Sequence, residues 1–223
     1  MPELSLIIPT YNRSEILIQN VLALRQKYPE AEIIIIDDGS TDQTKGKVPA
    51  VLGKQVIFQS NISNKGKGFS LRRGALLAHG QYVIFTDDDL PYGLEGIALV
   101  YQELKKGKPV VIGERAYFVD SLPKKIARPV FNWFFKPFLG IQMKDTQAGL
   151  KGFSHEAAQN IFRRSIVNSF ALDLEIIVLC QKLNYPITKV PVVQKDTTPS
   201  HLSFRQMFQI FLDVFKIKFH RYE

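Results

Sequence analysis

Four consecutive isoleucines, Ile33 to Ile36, run straight into a pair of aspartates, Asp37 and Asp38. A strand points alternate side chains to opposite faces, so an unbroken β-branched run needs apolar cover on both. That is the position of a strand inside a parallel sheet with helices on each side. The flanking spacing agrees. Leu4 to Pro9, Val56 to Gln59, Tyr82 to Thr86 and Pro109 to Gly113 read as further strands. Between them, Ser14 to Lys27 carries helical spacing at Ile16, Ile18, Val21, Leu22 and Leu24, and Phe69 to His79 and Gly93 to Lys105 read as helices. This alternation predicts an α/β fold, a mostly parallel sheet with helices on both faces.

Three polar clusters fall at or just past the carboxyl ends of those strands: Thr10-Tyr11-Asn12, Asp37-Asp38-Gly39-Ser40 and Asp87-Asp88-Asp89. In an open parallel sheet these ends share one edge, where ligands bind. Three adjacent carboxylates repel one another, and hard divalent cations such as Mg²⁺ or Mn²⁺ prefer carboxylate and phosphate oxygen. The triplet is therefore read as a cation site, against the alternative of a solvated acidic turn. The run from Asp37 to Asp42 serves equally as a turn before a capped helix or as an acceptor for nucleoside hydroxyls. Asn64-Lys65-Gly66-Lys67-Gly68 is a glycine-spaced basic loop suited to phosphate, or an ordinary surface turn.

Composition bounds the rest. The chain has 223 residues, 45% hydrophobic and 22% charged, enough for one large domain with a real core. The single cysteine, Cys180, excludes an intramolecular disulfide framework and a Cys-rich zinc site. A net charge of +8 suits a polyanionic partner: nucleic acid, a phosphorylated substrate or an anionic membrane. No secretory signal is read, and no apolar run reaches the ~18 residues of a spanning helix. His79, His155, His201 and His220 are scattered without metal-ligand spacing. Arg115 to Lys144 interleaves aromatics with basic residues, either core or an interfacial segment. From roughly Leu202 to Tyr222, Phe204, Phe208, Phe211, Phe215 and Phe219 recur at helical spacing, with Arg205, Lys216 and Arg221 on the other face.

Taken together, Leu6-Ile7-Ile8-Pro9-Thr10-Tyr11-Asn12, Ile36 to Asp42, Asn64 to Gly68 and Phe85-Thr86-Asp87-Asp88-Asp89 resemble glycosyltransferase family 2, in family order across residues 4 to 90. Val111 to Arg115, Asp145 to Phe153 and Phe170 to Glu175 resemble its polyprenyl-phosphate branch. The Asp-Thr-Gln-x-Gly-x-Lys pattern is similar to the dolichyl-phosphate β-glucosyltransferase type. The resemblance implies a GT-A fold over residues 1–200 and a basic amphipathic helix over 201–223. It implies inversion at the anomeric carbon and a need for Mg²⁺ or Mn²⁺. It puts Pro9, Thr10, Tyr11 and Asp38 around the nucleoside, Lys67 near the base or phosphates, and Asp87 and Asp89 on ribose, diphosphate and metal. Asp88 points away by strand alternation.

The expected reaction moves a hexose, glucose from UDP-glucose, to a polyprenyl phosphate at the cytoplasmic face of a membrane, with peripheral contact to anionic lipid. Arg115, Lys151 and Arg205 are candidates to position an acceptor phosphate, or are solvated charges. An alcohol acceptor instead needs a general base, for which Asp145 ranks ahead of Asp173. The competing readings are family 2 transfer to a glycan or soluble alcohol, and a non-catalytic sugar-nucleotide or nucleic-acid module. No nucleic-acid partner is expected, and the oligomeric state stays open.

Overall fold

The computed structural model describes residues 2–115, 136–141, 148–195 and 204–222. The strands are β1 (Leu4–Thr10), β2 (Glu32–Asp37), β3 (Ile57–Ser60), β4 (Tyr82–Phe85), β5 (Val110–Arg115), β6 (Lys151–Ser154) and β7 (Ile187–Val192). The helices are α1 (Ser14–Lys27), α2 (Thr44–Leu52), α3 (Lys67–Leu77), α4 (Gly93–Lys105), the short α5 (Lys136–Leu139), α6 (His155–Arg164), α7 (Leu172–Lys182) and α8 (Phe204–Phe219). The strands form one sheet in the order β3-β2-β1-β4-β6-β5-β7. Among the described strands β6 alone is antiparallel to its neighbours, β4 and β5. The other pairings are parallel.

The isoleucine run is divided between two cores. Ile34 and Ile36 pack with Ile7, Ala75, Phe85 and Phe153 on one face of the sheet. Ile33 and Ile35 pack with Leu6, Ile8, Leu17 and Val21 on the other. All four are sealed from solvent, and each such side chain contributes on the order of 1.5–3 kcal/mol by burial. α3, α6, α7 and α8 supply the first core, α1, α2 and α4 the second. Successive connections leave β1 toward β2 and β3, while β4 lies on its other side. That reversal opens a crevice over the carboxyl ends of β1, β2 and β4.

One element differs from its sequence expectation. α3 starts at Lys67 rather than Phe69, because Gly66 makes the reversal into the helix at φ 98°, a left-handed conformation that favours glycine. Lys67 thus rides the first helical turn instead of a loop. In α8 the buried positions are Ile210, Asp213, Val214 and Ile217, with Phe215 half-buried. Phe208, Phe211 and Phe219 stay 56%, 40% and 73% exposed, with Met207 and Leu212 beside them on the open side. No helix among the described residues is long and apolar enough to cross a membrane.

Candidate active site

The edge is organised first by backbone. Asn12 follows β1 in a left-handed conformation, φ 56°. There its amide nitrogen donates to Ser40 Oγ (2.8 Å) and its Oδ1 accepts from Thr41 N (2.8 Å). The end of β1 is thereby tied to the loop after β2. Asp37, fully buried, accepts from Ser40 N (3.1 Å) and Ser60 Oγ (2.7 Å). Asp38 is also buried and accepts from Asn61 Nδ2 (2.8 Å), Lys65 N (2.9 Å) and Gly66 N (2.8 Å). Its carboxylate therefore fixes the path of the basic loop. A side chain at Gly39 would collide with the backbone of Ser63, so glycine is needed where the two loops cross.

The acidic triplet splits by direction. Asp88 turns inward, accepting from Thr10 Oγ1 at 2.8 Å, with Arg13 Nη1 at 3.5 Å. Burial pushes its carboxyl up to about 6, against the pull of Thr10 and Arg13. Asp87 and Asp89 are more open and each meets a side-chain cation. Arg13 Nη1 stands 3.1 Å from Asp89 Oδ2, and Lys67 Nζ contacts Asp87 Oδ1. Burial works to lower the Lys67 ammonium, yet Asp87 and Asp173 hold it above its ordinary value. A side chain at Gly149 would run into the Asp87 carboxylate.

β6 adds a second charge pair on the same edge. Lys151 enters this strand opposite Phe85 of β4 and Ile112 of β5. Its side chain is sealed, and Nζ donates to Ala148 O (2.6 Å) and Asp173 Oδ1 (2.7 Å). The reading of Lys151 as a solvated surface charge is thus corrected: a lysine stays buried where a carboxylate and a carbonyl both receive it. Lys67, Asp87, Lys151 and Asp173 form an alternating cluster beside the crevice.

The remaining candidates fall into place unevenly. Pro9 and Thr10 are buried at the end of β1, and Tyr11 is 42% exposed beside them. Arg115 ends β5, in register with Val192 of β7. Asp145 lies outside the described residues, and so does the side chain of Arg205, although its backbone belongs to α8. Arg115 to Lys144 is described only at Arg115 and residues 136–141, so its interfacial reading lies largely outside them. Sequence reasoning passed over Arg13, Asn61 and Glu175. Arg13 follows the Asn12 turn as an unremarkable cation, and the other two act through partners distant in sequence.

Residues 5–178 match the profile of glycosyl transferase family 2. The chain belongs to that family. Within it, the dolichyl-phosphate β-glucosyltransferase of Dictyostelium discoideum is 32% identical over 97% of this chain and 74% of its own length. The Saccharomyces cerevisiae dolichyl-phosphate β-glucosyltransferase is 30% identical over 85% of this chain and 66% of its own. Glucosyl-3-phosphoglycerate synthase from Mycobacterium tuberculosis, solved with UDP, shares the fold at TM-score 0.72 and 20% identity, over 96% of this chain and 79% of that one. Mannosyl-3-phosphoglycerate synthase from Rubrobacter xylanophilus aligns at TM-score 0.72 and 20% identity, covering 96% and 72%. The sheet therefore has the GT-A arrangement, and this family 2 member is a nucleotide-sugar-dependent glycosyltransferase.

Divalent metal use is consistent with the fold, since the mycobacterial synthase has been crystallised with Mn²⁺ and with Mg²⁺, each with UDP. The residues present fit such an ion. Asp87 Oδ2 and Asp89 Oδ1 make no hydrogen bond or ion pair among the described residues. Among the described residues, no group of three or more His, Cys, Asp or Glu side chains forms a complete cage there. Two carboxylates completed by substrate phosphates and water is the way Mg²⁺ is usually held.

Proposed function

We propose that this family 2 enzyme transfers glucose from UDP-glucose to a polyprenyl phosphate, with inversion at the anomeric carbon. The observation that carries the reading is similarity to dolichyl-phosphate β-glucosyltransferase across 97% of the chain. Pro9, Thr10 and Tyr11 line the nucleoside side of the crevice. Asp38 acts there through the loop it fixes, and Lys67 lies toward the diphosphate. Asp87 and Asp89 would hold Mg²⁺ or Mn²⁺, which supplies charge to neutralise the departing diphosphate.

The acceptor reading has physical support in Asp173. A general base must be free to take a proton, and Asp173 is instead engaged by the buried Lys151 ammonium. A phosphate acceptor is already an anion, so one of its oxygens attacks the anomeric carbon as the bond to UDP breaks, with no proton to remove. Arg115 and Arg205 would steer that anion, while Lys151 contributes through Asp173. Asp145 stays the candidate base if an alcohol is the acceptor.

Membrane contact rests on α8. Its open side carries Met207, Phe208, Phe211, Leu212 and Phe219, with Lys216, Lys218 and Arg221 exposed on the same helix or just past it. Aromatic and aliphatic residues among lysines suit the boundary of an anionic bilayer. Residues 1–200 then hold the transferase and 201–223 the surface helix, peripheral on the cytoplasmic face.

Purified protein given Mg²⁺, radiolabelled UDP-glucose and a short polyprenyl phosphate in phosphatidylserine-containing vesicles should yield an organic-extractable glucosyl lipid and UDP in equal amounts. Transfer to a glycan or soluble alcohol, with none to the lipid phosphate, would overturn the acceptor assignment.

A further inference from the structure

Glu175 does no chemistry at the crevice, yet it is fully buried and every one of its partners is identifiable. Its Oε1 accepts from Ile166 N and from the Tyr222 hydroxyl, both at 2.8 Å, and its Oε2 accepts from Val167 N at 3.1 Å. Burial raises its carboxyl above the usual range, opposed by those donors, so the site holds this acid at a cost. The loop it grips is held from the other side by α3. Arg72 Nη1 donates to Ser165 O and Val167 O (3.2 Å each), and Arg72 Nη2 donates to Asn168 Oδ1 (2.6 Å).

That loop is the seat of the turn carrying Lys67. Phe69 N donates to Asn168 O at 3.2 Å. A side chain at Gly66 would strike Asn168 O, and a Cβ at Gly68 would stand 2.7 Å from Ser169 O. The backbone of residues 66–68 therefore lies directly on residues 168–169. From the far side come Tyr222, with its ring under Lys182 Nζ (5.0 Å), and Lys216, whose Nζ donates to Ile166 O (3.4 Å). A continuous set of contacts runs from the segment beyond α8, through Glu175 and the 165–169 loop, to Lys67 and Asp87.

We propose that Glu175 and Tyr222 are positioning residues for Lys67: they fix the loop on which the Lys67 turn rests, and so set affinity for the nucleotide diphosphate. The proposal rests on the reading that Lys67 meets the donor diphosphate. It makes the segment after α8 part of the donor site's support, although it touches no donor atom.

The test uses Tyr222→Phe, which removes one hydroxyl and keeps the ring. UDP binding with Mn²⁺ is measured by calorimetry, together with KM for UDP-glucose, KM for the acceptor, kcat and Tm. We expect UDP affinity to weaken by about threefold to tenfold, the scale of one ordinary hydrogen bond. KM for UDP-glucose should rise in step, with kcat and the acceptor KM unchanged. Val214→Ala opens a cavity under α8 while keeping the Tyr222 hydroxyl and the Glu175 carboxylate, and should lower Tm at least as much while leaving UDP affinity intact. In the double variant with Lys67→Ala, Tyr222→Phe should cost no further affinity, since its effect passes through Lys67. Unchanged UDP affinity in Tyr222→Phe, equal weakening in Val214→Ala, or full additivity with Lys67→Ala would each overturn the proposal. If Lys67→Ala itself leaves UDP affinity unchanged, the donor reading falls and takes the proposal with it.

Discussion

The carboxylates of this protein are held in two different ways, and the contrast separates scaffold from working edge. At the end of β2 and beneath α3, Asp38 and Glu175 accept from backbone N–H groups, an asparagine amide and a tyrosine hydroxyl. At the end of β4, Asp87 and Asp89 are answered by Lys67 and Arg13, long side chains that can swing. Backbone donors have nowhere else to go, so the first kind of contact is permanent. Side-chain cations can yield to a metal ion or follow a phosphate, so the second kind is exchangeable. A site that must take up and release a charged nucleotide needs the exchangeable kind, mounted on the permanent one.

The largest effect should come from breaking the working edge. Asp89→Ala should lower turnover by at least about 10²-fold, the scale expected for losing a preorganised charge partner in the transition state. Its metal-free Tm should hold or rise, since one of three neighbouring acids is gone. Transfer assays and thermal melts in EDTA check both halves; a large Tm loss would place Asp89 with the scaffold.

Asp38→Ala should do the reverse. Three N–H donors lose their acceptor, costing about 3 kcal/mol in urea denaturation, with activity falling through disorder of the 64–66 loop. A variant of undiminished stability but no activity would move Asp38 across the divide.

A smaller effect separates the two kinds by pH. Glu175 carries a carboxyl raised by burial, so the folded state binds its proton more tightly than the unfolded chain does. Its contribution is fully present below the ordinary carboxylate value of about 4.5 and is lost as pH rises through the raised folded value. Relative to Glu175→Gln, the wild type should therefore gain stability as pH falls from 7 toward 4.5. Parallel stability profiles for the two proteins over that range would contradict the sign.

The working edge was largely legible in the sequence, because strand-end chemistry is local. Ile33 to Ile36 demanded a two-sided strand, and the polar clusters at three strand ends had to meet once the sheet was parallel. The scaffold was less so. β6 is four residues with a glycine and no periodicity, and its neighbours β4 and β5 are remote in the chain. Nothing local says that Lys151 is buried, because its partner Asp173 lies 22 residues further on. The docked face of α8 likewise depends on the fold: the slimmer Ile210, Val214 and Ile217 turn inside, while Phe208, Phe211 and Phe219 stay exposed. Donor-site motifs can be read from neighbours in sequence, whereas buried charge pairs and helix orientation depend on partners that only the fold supplies.

The most direct test of the exchangeable edge is Mn²⁺ uptake followed by electron paramagnetic resonance with and without UDP. Wild-type protein should bind Mn²⁺ weakly alone and tightly once UDP is added, and the Asp87→Asn/Asp89→Asn variant should lose the UDP-dependent component while keeping its fold by circular dichroism. Equal UDP-dependent Mn²⁺ binding in that variant would contradict the account, because the ion would then be held somewhere other than the acidic end of β4.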